Sequence, residues 1–405
     1  MGNVSLGAPV PRSRITAVTR APSPLLPAFR YTAGALCTLL VLGIAGCISS
    51  GGEPNSTNAA KLALERGPQS GRQLYENNCG ACHGADGKSL PVTQVGFDFP
   101  LPDFTDCGYN SPEQSADWVA IAHEGGPIRG FTPIMPAFGD ALTAEELEKL
   151  VTYVRDFCAD KRWPRGELNF PAPLFTEKAF PENETLVKSV RDKDGSSETQ
   201  LIYEHRIGAR DQYEITVPYV NLVTGSPDHW QQGVGDISVA FKHVLASSLD
   251  KGYIVSAAAE VSLPTGSEAS GIGSGHTSLE AFIAVGKQLP NDFFVHSRAI
   301  YLTPFDGSTR EAELHVAFGR AMTSRGPYGR QWNPMVEVLG ARALESGAKT
   351  EWDWVPQVQV SINQRQHLLF NVGVRLPLTD RDSRDPQLAA YFLWDWFDGG
   401  LRDGW

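Results

Sequence analysis

The sequence predicts a multidomain chain: a small all-α domain followed by an antiparallel up-and-down transmembrane β-barrel of about 12 strands. Three observations predict it. The stretch LTAEELEKLVTYVRDF, residues 142–157, carries the strongest helix signal in the chain. From about residue 185 onward, some eleven or twelve segments of roughly ten residues alternate apolar and polar side chains. Between these two textures, KRWPRGELNFPAPLFTEKAFPENE (161–184) holds four prolines and no clear period, as a connector lying extended against another surface would.

The amino-terminal segment reads as an export signal. Arg12, Arg14, Arg20 and Arg30 precede an uncharged run, ALCTLLVLGIAG, at 35–46. That run is shorter than the ~20 residues a helix needs to cross a bilayer, so cleavage is expected rather than anchoring. It ends in Ile44-Ala45-Gly46-Cys47, which resembles the lipobox of bacterial lipoproteins. The resemblance implies that residues 1–47 are a signal and that Cys47 carries lipid. Ile48 follows where an inner-membrane retention aspartate would stand. Residues 48–66 are small and polar, as in a flexible tether.

Residues 67–160 form the predicted α domain. A helix is expected to run from SGRQLYENNC into the following motif, with Leu74 and Tyr75 inward. In the last helix Thr143 and Glu146 make a capping box, and Leu147, Leu150, Val151 and Val154 follow at helical spacing. Trp118 and Tyr153 are expected to pack in this domain as core aromatics.

The domain also holds NNCGACHG, residues 77–84. Cys79 and Cys82 flank two small residues and His83 follows at once. Two thioether links to haem vinyl groups and one histidine on the iron are the chemistry this spacing serves. The five letters alone also suit a zinc pair. An export signal, an upstream helix and a long downstream helix make one covalent haem c the expected cofactor. For the second axial ligand, Met135 in GFTPIMPAFGD is the only methionine between the motif and the last helix. His123 is the rival ligand, and a bis-histidine iron would have a lower potential than His/Met. A His/Met pair leaves no open iron position, so electron transfer is expected rather than catalysis. Cys107 and Cys158 remain, in an oxidising compartment, and a disulfide between them would contribute ~3–4 kcal/mol on the chain-entropy model. Taken together, 67–160 resembles a small class I cytochrome c. In that family the axial methionine sits on a proline-bearing loop before the last helix, and Met135 lies between Pro133 and Pro136.

Residues 185–405 carry the alternation. In LLFNVGVRLPL, Leu368, Phe370, Val372, Val374, Leu376 and Leu378 oppose Asn371, Gly373 and Arg375. In DISVAFK, Ile237, Val239 and Phe241 oppose Ser238, Ala240 and Lys242, and QVQVSI repeats the pattern. Both a soluble β-sandwich and a lipid-facing barrel fit a period of two. Strand length favours the barrel. So do charges read as lumenal and mid-strand (Lys242, Arg375, Arg320, Arg342, Glu337) and aromatics near strand ends (Tyr213, Tyr219, Tyr301, Phe305, Trp352, Trp354), together with a terminal Trp405. Against it, EAFIAVGKQL is apolar on both faces. GVGDISVAFKHVL, VSLPTG and the closing strands are similar to transporter-like outer-membrane barrels of aromatic-degradation clusters. The whole plan resembles fused cytochrome–porins.

A net charge of −11 argues against nucleic acid as a partner. The implied function is single-electron transfer at or across the outer membrane of a Gram-negative bacterium. The haem domain is then periplasmic or within the barrel mouth. The implied partners are redox donor and acceptor proteins or an extracellular reductant, and outer-membrane lipid. Two alternatives remain open: a small-molecule channel with an accessory haem domain, and a soluble periplasmic carrier with a β-sandwich.

Overall fold

The computed structural model describes residues 57–224, 229–324 and 328–405; Cys47 and the export signal lie outside the described residues. The first unit is helical: α1 (Thr57–Arg66), α2 (Gly71–Asn78), α3 (Gly80–His83), α4 (Val92–Val95), α5 (Cys107–Asn110), α6 (Ser115–Glu124) and α7 (Ala144–Arg155). Ser70 caps α2 and Thr143 caps α7, each in a capping box with the third helical residue, Gln73 or Glu146. Leu74, Tyr75, Leu147, Leu150, Val151 and Val154 form the core between them. The two helices cross closely at Gly71, where a Cβ would stand 2.3 Å from the Lys149 carbonyl oxygen. The expectation of a flexible tether is corrected over 57–66, which is helix α1. Asn58 donates to the Asp140 carbonyl and Arg66 pairs with Glu146 at 2.9 Å, which docks α1 beside the start of α7.

Fourteen strands follow: β1 (Glu184–Arg191), β2 (Ser197–Ile207), β3 (Asp211–Val223), β4 (Trp230–Val234), β5 (Ser238–Ser248), β6 (Tyr253–Ser262), β7 (Ser278–Gln288), β8 (Phe293–Pro304), β9 (Glu311–Arg320), β10 (Met322–Thr323), β11 (Gln331–Ala343), β12 (Glu351–Ser361), β13 (Leu368–Pro377) and β14 (Gln387–Asp395). Twelve of them form a ring in which every neighbour is antiparallel. β9 pairs with β11 and β14 pairs back to β1, so no edge is left open. The short β4 and β10 extend hairpins on β3 and β11. One closed sheet excludes the sandwich alternative.

Side chains on the outer face are apolar although nothing among the described residues covers them. Val187, Leu201, Val239, Phe241, Leu314 and Leu388 are 45–52% exposed. A contiguous band of this kind is stable against lipid and costly against water. Trp332 near one rim and Trp352 near the other bracket the band. Trp352 pairs with Gly340, eight residues along β11 from Trp332. That is about 27 Å of strand, or about 20 Å of height at a 40° tilt, close to the ~25 Å apolar belt of outer-membrane barrels. Tyr219, Tyr301 and Phe305 are also exposed toward the same rim as Trp352.

Three readings of single residues are corrected. Arg320 ends β9 on the outer face, stacked 5.2 Å from the Phe293 ring. Arg342, exposed near the end of β11, is likewise outside. At strand ends the charge reaches polar surroundings, so neither residue needs a wet lumen. Leu368 is 1% exposed and does not meet lipid. Trp405 lies beyond the last strand, its indole donating to the Leu401 carbonyl.

The lumen is not an open pore. Residues 166–183 thread it. Leu168, Phe170, Ala179 and Phe180 pack on Val244, Ile254, Phe282, Ala284, Phe294 and Ile300 of the inner wall. Ala172 and Leu174 pack on Leu339, Val355, Tyr391 and Leu393. This explains the doubly apolar segment of β7: Ile283 faces outward, whereas Phe282 and Ala284 face the plug. Glu337, fully buried, fixes the plug's bend. Its carboxylate accepts from the backbone N–H of Leu174, Phe175 and Thr176 and from the Thr176 hydroxyl. Above the plug a cavity of about 330 Å³ is lined by Glu177, Glu204, Glu214, Glu260, Lys242 and Arg298 among others. Glu204 stands directly opposite Glu214, and Glu260 opposite Glu280. Like charges in facing positions cost stability. Lys242 and Arg298 offset part of that cost by pairing with Glu177, and Arg298 also pairs with Glu280.

Candidate haem site

Helix α2 delivers the CxxCH motif. After Asn78 the chain makes one more turn, α3, with the Cys79 and His83 backbone N–H groups bonding to the Tyr75 and Cys79 carbonyls. That turn brings Cys79, Cys82 and His83 to one side of the domain. The Tyr75 hydroxyl, buried beneath, donates to the Gly84 carbonyl at 2.7 Å and fixes the end of the turn. Cys79 and Cys82 are unbridged thiols. Burial, followed by the neighbouring Cys82, pushes the Cys79 thiol up to about 12. Burial also lowers the His83 imidazole to about 4, so it is neutral, as a metal ligand must be.

The surroundings of His83 fit a haem. Its ring is 9% exposed, stacks on Phe104 with centroids 4.7 Å apart, and its Nδ1 has no hydrogen-bond partner. Phe104 continues to Trp118 at 5.5 Å. Trp118, Val119 and Phe138 are partly buried apolar groups against the core, the kind of surface a porphyrin would cover. Met135 lies on the loop from Gly125 to Gly139. The loop closes on itself where Gly126 N–H donates to the Met135 carbonyl at 3.0 Å, and it is tied to α6 by Phe138 and Gly139 N–H bonds to the Ala122 and His123 carbonyls. His123 points elsewhere: Nδ1 meets Glu124 at 2.8 Å, and the ring stacks 4.8 Å from Tyr328 of the barrel. Tyr153 packs between Tyr75 and Phe157 on the helix pair. Cys107 and Cys158 are disulfide-bonded, joining α5 to the segment after α7 across 51 residues.

Residues 66–154 match the family model described as cytochrome c oxidase, cbb3-type, subunit III. The helical unit is a cytochrome c domain. Its family binds haem, and the site just described is where this chain would hold it. No curated protein matches the chain. Among solved structures, it is similar to an outer membrane channel from Pseudomonas putida F1, at 12% identity, 56% of this chain, 99% of that one and a TM-score of 0.40. It is also similar to the NanC porin, at 8% identity, 52% and 98% coverage and a TM-score of 0.37. The chain thus joins a cytochrome c domain to a twelve-stranded barrel.

The two units meet around a set of residues that no motif marks. The carboxylates of Glu113, Asp395 and Asp398 come within 4.8 Å of one another between the haem domain and the end of β14. Burial first, then Asp398 and Asp117, raises the Glu113 carboxyl well above its ordinary value. Burial and Asp395 do the same to Asp398. The last barrel turns reach the Met135 loop through Arg129, Tyr328 and Arg365. Their separations of 199 and 236 residues leave no local signal in the sequence.

Proposed function

We propose that this protein is an outer-membrane monohaem c-type cytochrome whose barrel anchors a one-electron carrier at the periplasmic face. Cys79 and Cys82 hold the haem by thioethers, and His83 and Met135 take the two axial positions. When bound, haem c supplies a single-electron iron couple. The chain's own contribution is to keep His83 neutral and out of water, to present a soft thioether that favours ferrous iron, and to leave no open position for oxygen or peroxide.

The observation that supports the reading is the plugged, apolar-faced barrel beside the CxxCH turn and the Met135 loop. At the haem-domain end three turns are short (208–210, 249–252, 289–292) and one connection, 321–330, is longer and carries β10, whereas connections at the far end include 263–277, 344–350 and 378–386. Outer-membrane barrels place short turns in the periplasm and long loops outside. On that rule the haem faces periplasmic donor and acceptor proteins. Cys47 would add a lipid anchor; fatty-acid label on the wild type and none on Cys47→Ala is the expected result.

The test is purification in detergent followed by a redox titration. Haem that stays with the chain on denaturing gels, titrating as a single one-electron centre, is expected. Non-covalent haem, or a centre that turns over peroxide, contradicts the proposal. The cavity above the plug favours a second reading, a solute channel with an accessory haem, and conductance of the wild type separates the two.

A further inference from the structure

The loop that carries Met135 is held by the barrel as well as by its own domain. Arg365, in the turn between β12 and β13, donates from Nε to the Arg129 carbonyl at 3.3 Å and from Nη2 to the Gly130 carbonyl at 3.0 Å. Its guanidinium lies 4.3 Å from the centroid of the Phe131 ring and also donates to the Asp398 carbonyl. Arg129 answers from the other side. It is 5% exposed, donates to the Tyr328 carbonyl at 2.9 Å and pairs with Asp117 at 2.8 Å. Gly130 adopts φ +68 and sits so close to the carboxy-terminal segment that a Cβ would stand 2.4 Å from the Gly404 Cα. Residues 129–131 are therefore pinned at three consecutive positions, four residues before Met135.

We propose that Arg365 is a positioning residue for the haem iron: the barrel, through this turn, sets how firmly the Met135 thioether is presented. Two features support it. A bidentate donor set with a stacked ring fixes both direction and distance, which a lysine's point charge does not. The clamped residues also lie inside the loop closed by the Gly126 N–H to Met135 carbonyl bond, so a shift at Gly130 reaches Met135 without crossing another element. The haem centre would thus respond to whatever moves the barrel turns. This rests on Met135 being the sixth ligand.

The experiment uses the full chain in detergent and competes imidazole against the native ligand while following the iron–thioether charge-transfer absorption. Arg365→Ala is expected to lower the imidazole concentration for half-displacement by about tenfold. It should also lower the midpoint potential, by about 59 mV if the ferrous form loses thioether affinity tenfold more than the ferric form that the absorption reports. Arg365→Lys should fall between. Gly130→Ala perturbs the same contact from the haem-domain side and should shift both readouts in the same direction, which guards against one misfolded variant. Unchanged half-displacement and potential in both Arg365→Ala and Gly130→Ala, with the absorption present in the wild type, overturns the clamp and leaves the ligand assignment standing. Absence of the absorption from the wild type itself removes the ligand reading, and the clamp with it.

Discussion

Glu337 is where the closed state of the barrel can be perturbed most sharply. Its carboxylate takes the Leu174, Phe175 and Thr176 N–H groups and the Thr176 hydroxyl, at 2.6–3.2 Å, in a fully buried position. Glu337→Ala orphans the Phe175 and Thr176 N–H groups and the Thr176 hydroxyl, whereas the Leu174 N–H keeps its bond to the Gln357 side-chain oxygen at 2.9 Å. Each buried donor left unmade costs about 1–3 kcal/mol, and partial rehydration from the cavity above lowers the sum to about 3–6 kcal/mol. Opposing release is the burial of Leu168, Phe170, Leu174 and Phe180. At about 1.5–3 kcal/mol each, they hold the plug by about 6–12 kcal/mol. The hydrogen-bond loss is therefore smaller than the apolar hold. Glu337→Ala alone should raise the open fraction about 10²–10⁴-fold without making the open state dominant. Adding Phe180→Ala removes about 1.5–3 kcal/mol more of the hold and should raise the open fraction by about another 10–10²-fold. Planar-bilayer conductance reads this directly. The wild type should be silent, Glu337→Ala should flicker, and the double variant should open markedly more often. A wild type that already conducts as well as the double variant refutes the plug as the closing element.

Met135→Ala should abolish the iron–thioether absorption and lower the midpoint potential while leaving the haem covalently attached; persistence of the absorption in the visible spectrum would assign the sixth position to another residue. Docking of the haem domain on the barrel should depend on pH through Glu113 and Asp398. Both carboxyls are raised in the docked state, so docking takes up protons. The stabilisation is complete below the ordinary carboxylate range and is lost as pH rises through the raised values. Protease release of the haem domain should accordingly slow on acidification from neutral pH, and Glu113→Gln should slow it at neutral pH and flatten the profile. Removing the disulfide by the Cys107→Ser, Cys158→Ser double change closes no loop in the unfolded chain and should cost the haem domain about 4 kcal/mol in denaturant unfolding. A loss near zero would mean that the denatured domain is already compact.

The haem motif, the Thr143–Glu146 helix cap and the lipid-facing alternation were legible in the sequence because each is local. CxxCH needs five residues, the Thr143–Glu146 cap needs four, and the outward Val239 and Phe241 declare themselves by period alone. That 161–184 lies against another surface was legible from its prolines and lack of period, but that the surface is the inner wall of the barrel was not. Each of the plug's residues meets a different part of the wall, as Leu174 meets Glu337 and Ala172 meets Tyr391, so no period links one residue to the next. Its hidden presence also blurred the strands: Phe282 and Ala284 face inward like polar lumen residues but touch apolar plug atoms. Arg320 and Arg342 misled for the opposite reason, because position along a strand, and not face alone, decides whether an outward charge can reach water. Arg365 and Glu113 act across more than two hundred residues of chain, and composition is silent about them.

Cysteine labelling in intact cells tests most directly whether the barrel spans the outer membrane with the haem domain beneath it. Ala269→Cys places a thiol in the exposed connection at 263–277, and Glu148→Cys places one on exposed helix α7 of the haem domain. A membrane-impermeant maleimide should modify Ala269→Cys in intact cells and Glu148→Cys only after the outer membrane is opened. Labelling of both in intact cells, or of neither, or of the haem domain alone, would contradict a barrel that holds its cytochrome on the inner side.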